Sequence, residues 1–265
     1  MNGDLAILFR PDLGTEEELS DAKRWFTVAT RRTECPTNSL IIGRYSVLPY
    51  YKELEDDLAT KGCRLINSTE QFGWIADFDY YQELKSFTFE TWTENEFHAA
   101  PEGKYVVKGR TNSRKAQWNK AMFAPNKKRA LEIASFLYEN DPLIAQQGLI
   151  FRKYVALKTE EIGINELPFT HEWRFFFLGE DMVDCGYYWS LAENREIRPS
   201  LNTHKFAREI ASIASKRTNF FVADIGLTER GDHVLIELND GQMSGLSCIE
   251  SYNFYANLRT ALKKF

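Results

Sequence analysis

Short apolar runs alternate with amphipathic segments over the first third of the chain. The apolar runs predict strands at residues 5–9, 39–43, 63–68 and 87–92. The amphipathic segments predict helices at residues 15–32, 49–62 and 68–84, and Pro49 and Gly62 suit the two ends of the second helix. Strands that alternate with helices favour a parallel sheet. We therefore predict a small α/β layer over residues 1–95.

The pattern changes near Pro101, after which strands tend to follow one another directly. Strands are predicted at residues 105–110 and 148–157, and strand pairs within residues 172–189 and 220–238. Helices are predicted at residues 126–140, 205–216 and 252–264. This order favours an α+β domain with antiparallel strand pairs over residues 96–265.

Polar residues end the last apolar strand, in the stretch HVLIELNDGQMSGLS at residues 233–247. A four-residue turn at 229–232 would pair Asp224 with Glu237, and Asn239 lies one step further along the same face. Two opposed carboxylates about 5 Å apart repel each other unless a cation lies between them. A hard divalent cation such as Mg²⁺ would resolve the conflict. The alternative is an exposed hairpin end whose acids are solvated.

This arrangement, Asp on one strand and Glu-x-Asn on the next, resembles the metal-binding signature of ATP-grasp ligases. Other segments resemble that family in its order along the chain: a Rossmann-like first layer, Lys108 in YVVKG, a polar loop at 111–118 that would cover phosphates, a hinge strand at 148–155, and Arg174 in EWRFFF. The loop is basic rather than rich in glycine. The basic loop and the RKY and EWR motifs most resemble a small clade found in phages and their hosts, named for an arginine and two lysines.

The resemblance implies an α+β ATP-grasp fold, in which two α+β subdomains hold ATP, preceded by a small Rossmann-like α/β layer. It implies ATP and Mg²⁺ as cofactors, with Asp224, Glu237 and Asn239 as metal ligands. It also implies catalytic roles for Lys108 and Arg174. The residues implied to contact ATP are Lys108, Lys115, Arg152, Lys153, Tyr154, Val155 and Arg174.

Elementary chemistry leaves alternatives open for several of these cations. Arg174 lies in an apolar strand, where an unpaired guanidinium would be costly, so it either pairs with Glu172 or Asp184 or binds a phosphate. Lys108 could instead extend from its strand end into solvent. Lys115 either contacts phosphate or belongs to a solvated loop face. Strand alternation places Arg152 and Lys153 on opposite faces.

Candidate substrate contacts follow the strands of the first layer. Ligands of open α/β layers bind beyond the carboxyl ends of the strands. Arg44 and Tyr45 follow the second predicted strand, and Asn67 and Ser68 end the third. Arg110, which opens the polar loop, is a further candidate.

Composition narrows the class of protein. The 265 residues carry a net charge of −5, which argues against wholesale binding to nucleic acid or to an anionic membrane. No apolar run approaches the roughly 18 residues of a membrane span, and the first residues do not read as a signal peptide. The 4 cysteines show no CxxC spacing, which is typical of reduced thiols in a cytoplasmic protein.

Together with the resemblance, these features predict an ATP- and Mg²⁺-dependent ligase. Such an enzyme would activate a carboxylate as an acyl phosphate and join it to an amine, and a peptide or protein is one option for the substrate. A phosphotransferase on the same scaffold and a non-catalytic nucleotide-binding module are the alternatives.

Overall fold

The structure, a computed structural model, describes residues 5–11 and 16–265. Its first sheet is parallel and has the strand order β2-β1-β3-β4. The strands are β1 (Leu5–Leu8), β2 (Thr27–Ala29), β3 (Leu40–Gly43) and β4 (Arg64–Leu65). The helices of this part are α1 (Glu16–Ala22), α2 (Tyr51–Ala59), α3 (Thr69–Ala76) and α4 (Tyr80–Leu84). The predicted α/β layer is therefore confirmed.

Three predictions for this layer were wrong. The helix predicted at residues 15–32 ends at Ala22, and β2 follows it. The helix predicted at residues 68–84 is two helices, because Phe78 adopts a positive φ of 70° between them. The run at residues 87–92 is not a fourth strand of this sheet: β5 (Thr91–Thr93) pairs antiparallel with a strand of the second sheet. Local sequence shows that a segment is apolar but not which strand it will pair with.

The second sheet has the order β5-β8-β6-β7 and is antiparallel. Its other strands are β6 (Tyr105–Gly109), β7 (Phe123–Ala124) and β8 (Leu149–Lys153). The helices of this segment are α5 (Trp118–Ala121), α6 (Lys127–Asn140) and α7 (Pro142–Gln147). Helix α6 buries Ala130, Ile133, Ala134 and Leu137, one stripe at helical spacing, in a core shared with β6 and β8.

The third sheet has the order β12-β11-β13-β14 and is also antiparallel. It contains β11 (Glu172–Leu178), β12 (Asp181–Tyr187), β13 (Phe220–Leu227) and β14 (His233–Asp240). Phe175 and Phe177 join the cluster that includes residues of α8 (Leu201–Ala214), while Phe176 joins the cluster that includes residues of α9 (Ser251–Leu262). A strand covered on both faces reads as one continuous apolar run, which explains the motif FFFL.

A hairpin that the sequence did not predict lies between the second and third sheets along the chain. It consists of β9 (Thr159–Ile162) and β10 (Pro168–Thr170). Its strands are short, and all of β9 is exposed or only half-buried, so it lacks the apolar alternation that marks a strand.

Backbone contacts join the second and third sheets beside β14. Leu235 donates its amide to the carbonyl of Phe87 at 2.7 Å, and the Thr88 hydroxyl donates to the carbonyl of Leu235 at 2.7 Å. These contacts hold β14 against the segment that precedes β5. The division into residues 1–95 and 96–265 stays a prediction. In the part of the chain that the structure describes, no helix is long and apolar enough to cross a bilayer.

Candidate active site

The hairpin of β13 and β14 pairs Asp224 with Glu237, as the sequence predicted. Nearer the turn the register differs from the prediction by one residue, since Leu227 pairs with His233 and Gly226 with Val234. A bulge after Asp224 absorbs the difference and leaves Ile236 opposite no partner. The carbonyl of Ile236 instead accepts a hydrogen bond from Arg152 of β8.

Asp224 is fully buried and is held by Arg174 of the neighbouring strand β11. Nε and Nη2 of Arg174 donate to the two carboxylate oxygens at 2.8 and 2.7 Å, and Nη1 donates to the carbonyl of Gly245 at 2.7 Å. The partner of this arginine is therefore Asp224 rather than Glu172 or Asp184. Such a bidentate pair fixes the orientation of the guanidinium and compensates its charge.

Glu237 forms an ion pair with Lys108 of β6, which joins the second sheet to the third. Lys108 is only 7% exposed, so the alternative in which it extends into solvent is wrong. Burial alone would raise the pKa of Glu237, but Lys108 and Lys115 lower it well below its usual value. Glu237 is therefore a carboxylate at neutral pH.

The donor set at this position fits Mg²⁺. The predicted set has two carboxylates, Asp224 and Glu237, and one amide, Asn239. Within residues 5–11 and 16–265, no group of three or more His, Cys, Asp or Glu side chains could hold a metal ion. The side-chain nitrogen of Asn239 donates a hydrogen bond to the Asp224 carboxylate at 3.3 Å. The amide oxygen of Asn239 stays available for other contacts. Mg²⁺ is usually bound by one or two carboxylates together with substrate phosphates, and it prefers oxygen ligands. The metal roles of Asp224, Glu237 and Asn239 stay a prediction.

A further cation, Lys115, approaches this cluster from the loop after β6. Its ammonium donates to the hydroxyl of Tyr188 and lies 4.0 Å from the centre of that ring. The guanidinium carbon of Arg174 lies 4.8 Å from the centre of the same ring. Tyr188 therefore holds two cations side by side. The view of Lys115 as part of a solvated loop face is wrong, because this lysine is partly buried and bound.

Glu172 is a further buried acid near these cations. The sequence suggested it only as a partner for Arg174. It is 3% exposed, and its Oε1 has no hydrogen-bond partner among the described residues. Burial raises the pKa of Glu172 to about 7, although the nearby Lys115 acts in the opposite direction. An unpaired polar atom this deeply buried is costly unless a ligand or water meets it.

A cavity of about 120 Å³ lies between the second and third sheets, and we call it the inter-sheet cavity. Lys108 and Glu237 line one part of it, and the predicted ATP-contact residues Lys115, Arg152, Lys153, Tyr154 and Val155 also line it. Arg152 is buried while Lys153 pairs with Glu90 at the surface, although both residues line the cavity. The volume is below the roughly 300 Å³ of small ligand sites.

The predicted substrate residues of the first layer are mostly engaged in structural contacts. Arg44 is 4% exposed and bound to Glu18 and to the carbonyl of Gly241. Asn67 is fully buried, and its side chain bonds the backbone of Phe220 and the carboxylate of Asp240. These contacts join the first sheet to the third. They weigh against substrate binding by Arg44 and Asn67, a role that stays a prediction.

The other three predicted substrate residues differ in exposure and role. Ser68 caps α3 by accepting a hydrogen bond from the amide of Gln71 at 3.2 Å. Tyr45 is 8% exposed at the end of β3, and Arg110 donates to the carbonyl of Asp77 at 3.2 Å. Arg110 also lines a small cavity that includes Asn239. Arg110 therefore shares a cavity with one of the predicted metal ligands.

The sequence of residues 96–258 matches an ATP-grasp domain model, that of family 3 in the clade named for one arginine and two lysines. The match spans more than half of the chain, which decides the family. This chain belongs to the ATP-grasp family. The proposed resemblance and the predicted ATP-grasp fold are both confirmed. No curated protein matches the sequence.

Solved ATP-grasp structures cover the whole molecule at low sequence identity. A D-cycloserine synthetase, DcsG, is 14% identical with a TM-score of 0.61, covering 98% of this chain and 100% of that one. The D-alanine–D-alanine ligase of Bacillus anthracis, solved with ATP, is 10% identical with a TM-score of 0.59, covering 98% of this chain and 97% of that one. At these identities the likeness shows the shared fold alone.

A third similar structure is the ATP-grasp ligase PsnB, solved with a phosphomimetic variant of its minimal precursor, Mg and ADP. It is 10% identical with a TM-score of 0.57, and the match covers 99% of each chain. ATP-grasp enzymes use ATP and Mg²⁺.

Proposed function

We propose that this ATP-grasp protein is an ATP- and Mg²⁺-dependent ligase that forms an amide bond through an acyl phosphate. The observation that carries the proposal is that Lys108 and Lys115 line the inter-sheet cavity together with Glu237. Arg174 holds Asp224, the residue that pairs with Glu237 across the hairpin. ATP would lie between the second and third sheets, with its phosphates beside these charged residues.

The cations of the site are held in place before the phosphates arrive. Arg174 is fixed by Asp224, and Lys108 by Glu237. Donors that are oriented beforehand stabilise developing charge without the cost of reorganisation. When bound, Mg²⁺ would neutralise charge on the transferred phosphoryl group, with Asp224, Glu237 and Asn239 as its protein ligands. Lys115 would leave Tyr188 and close over the phosphates.

The reaction then needs positioning and positive charge rather than a protein nucleophile. A carboxylate oxygen of the substrate attacks the γ-phosphorus, and the bond to the bridging oxygen of ADP breaks. The amine next attacks the acyl carbon, inorganic phosphate leaves, and the amine loses a proton. Apart from its charged residues, the inter-sheet cavity is lined mainly by apolar side chains, which would exclude water from the labile acyl phosphate.

Hydroxylamine tests the proposal without knowledge of the natural amine, because it traps an acyl phosphate as a hydroxamate. The protein is incubated with Mg²⁺, ATP and pooled carboxylic acids and short peptides, and hydroxamate and ADP are measured together. We expect both products in equal amounts, and neither with Glu237→Gln. ADP formed together with a stable phosphorylated acceptor would indicate a phosphotransferase instead. ATP binding without any ADP would indicate a binding module.

A further inference from the structure

A second cavity, of about 370 Å³, lies beside the inter-sheet cavity and shares Lys115, Leu167 and Trp189 with it, and we call it the aromatic cavity. Lys115 lines both cavities, while Arg174 lines this one and holds Asp224 of the hairpin. A ligand in the aromatic cavity can therefore meet the same cations as the phosphates of a nucleotide. Its volume is within the range of small-molecule sites.

Aromatic side chains form the wall of this cavity and hold one another in place. Trp189 stacks on Phe169 with ring centres 4.9 Å apart, and its Nε1 donates to the hydroxyl of Thr170 at 3.3 Å. Tyr188 packs edge-on against Trp189, with ring centres 5.0 Å apart. Lys115 lies 5.2 Å from the centre of the Trp189 ring. The wall is therefore fixed in shape by contacts on several sides.

The polar groups of the cavity are unevenly distributed. Its charged residues are Lys115 and Arg174, and no acidic residue is among those that the structure places in its lining. The remaining lining includes Leu167 and Leu191, together with small residues such as Gly245. Leu191 is 73% exposed, so a large apolar side chain stands in solvent beside the cavity. Positive charge together with apolar surface suits an amphiphilic anion.

We propose that the aromatic cavity is the carboxylate-substrate site, and that it selects a carboxylic acid with an apolar or aromatic body. The inference rests on the proposed ligase function and adds the substrate class to it. The carboxylate lies against Arg174 and Lys115, where it faces the γ-phosphate. The body of the acid packs on Trp189 and covers Leu191, removing apolar surface from water. Trp189 and Leu191 are the residues that determine specificity.

A guanidinium and an ammonium that already carry partners still have N–H groups for a carboxylate, since each has more donors than it uses. A dicarboxylate or a sugar would bring further polar groups against Trp189, Phe169 and Leu167, and burying a polar group without a partner is costly. An apolar body meets no such penalty there.

A series of acids assayed by hydroxamate formation tests the proposal. Acetate, butyrate, hexanoate and 3-phenylpropanoate increase in apolar surface, while succinate adds a second charge. We expect kcat/KM to rise by about ten-fold or more from acetate to the larger acids, the usual range for added methylenes in an apolar pocket. Succinate should be no better than acetate. A flat series, or a preference for succinate, would overturn the substrate class.

A pair of leucine variants connects the preference to this cavity. Leu191→Asp places a negative charge at the aromatic cavity, and we expect it to lower kcat/KM for 3-phenylpropanoate by about ten-fold. Leu201→Asp makes the same change at another leucine, 81% exposed at the start of α8 and outside the cavity lining. Equal effects of the two variants would overturn the assignment of the site.

The same assays separate this inference from the proposed function. If hydroxamate forms equally well from polar and apolar acids, the proposed ligase function is supported and only the inference about the aromatic cavity is wrong. If no acid gives hydroxamate although the protein binds ATP with Mg²⁺, both are wrong.

Discussion

At the scale of single residues, the site is organised by buried charges that meet across strands. Arg174 and Asp224 are neighbours on β11 and β13, and Lys108 reaches Glu237 from a different sheet. Removing one member of such a pair leaves an uncompensated charge, which typically costs about 3–5 kcal/mol of stability. A variant at this site can therefore lose activity because it is less stable. Its affinities for two different ligands have to be compared as well as its activity.

Lys108→Met should weaken the binding of ATP much more than that of adenosine, because only ATP carries the charge that Lys108 would contact. A lost charge-assisted contact costs about 1.5–3 kcal/mol, which corresponds to about ten- to a hundred-fold in affinity. Calorimetric titration with the two ligands measures the difference. Lys52→Met is the control, since that side chain is 64% exposed in a surface ion pair. Equal weakening for ATP and adenosine would contradict a phosphate contact.

Glu172 predicts a dependence of stability on pH. Its pKa in the folded protein is raised to about 7 by burial, from the usual value of 4.5. When the pKa of a carboxyl group is higher in the folded than in the unfolded protein, the group costs no stability at a pH below its pKa in the unfolded chain. The cost grows as the pH rises from that value toward the pKa in the folded protein. At about 1.4 kcal/mol per pKa unit, the loss between about pH 4.5 and 7 is roughly 3 kcal/mol.

Glu172→Gln removes this titration, so the variant should lose less stability than the wild type as the pH rises through this window. Urea unfolding at several pH values gives both curves. Glu166→Gln is the control, because Glu166 is exposed. Parallel curves for the wild type and Glu172→Gln would show that Glu172 titrates as it does in the unfolded chain.

At the scale of elements, the site depends on how closely β12 packs against the loop after β14. The amide of Cys248 donates to the carbonyl of Tyr187 at 3.1 Å, and Gly186 lies beside the same loop. A Cβ on Gly186 would approach the side chain of Ile249 to 2.8 Å and its backbone nitrogen to 3.1 Å. Backbone cannot turn away as a flexible side chain can, so the loop would have to shift.

Gly186→Ala should therefore lower the free energy of unfolding by about 1–3 kcal/mol, the usual cost of overpacking. The shift would also move Gly245, whose carbonyl accepts a hydrogen bond from Arg174 at 2.7 Å, and so weaken ATP binding. Denaturant unfolding and nucleotide titration measure the two effects. Gly103→Ala is the matched control, since a Cβ there meets nothing within 4 Å. An unchanged stability of Gly186→Ala would show that the loop is not held as described.

The elements that the sequence predicted well are those whose own pattern determines them. The run EWRFFFL and the hairpin at 220–240 are apolar enough to be strands in any context. The pairing of Asp224 with Glu237 was predicted from a four-residue turn, and it holds because the bulge after Asp224 makes up the one-residue difference near the turn. Helices α6, α8 and α9 follow from amphipathic spacing in the same way.

The elements and contacts that it missed depend on partners far along the chain. Strand β5 lies in the second sheet because β8 pairs with it, and nothing near Thr91 records that choice. The partner of Arg174 is 50 residues away in sequence. Tyr188 and Trp189 read as ordinary strand aromatics, and only the fold brings Lys115 to them. The only hint in the sequence that Glu172 belongs to the site is its position two residues before Arg174.

At the scale of the whole molecule, side-chain contacts connect the first and second sheets to the third. The first sheet is joined to the third by Asn67 and Arg44, and the second to the third by Lys108 and by backbone contacts at Leu235. The aromatic cavity opens beside the same cations. ATP in one cavity and a carboxylate in the other would both lie beside Lys115, and phosphoryl transfer between them requires such proximity.

Oxygen transfer from the carboxylate to phosphate tests the central claim most directly. An acid that supports ADP release is labelled with ¹⁸O in its carboxylate and incubated with ATP, Mg²⁺ and an amine. When an acyl phosphate breaks at its acyl–oxygen bond, one carboxylate oxygen leaves with the phosphate. We predict that the inorganic phosphate carries one ¹⁸O atom for each amide formed, as measured by mass spectrometry. Unlabelled phosphate, released in step with ADP, would contradict an acyl-phosphate ligase.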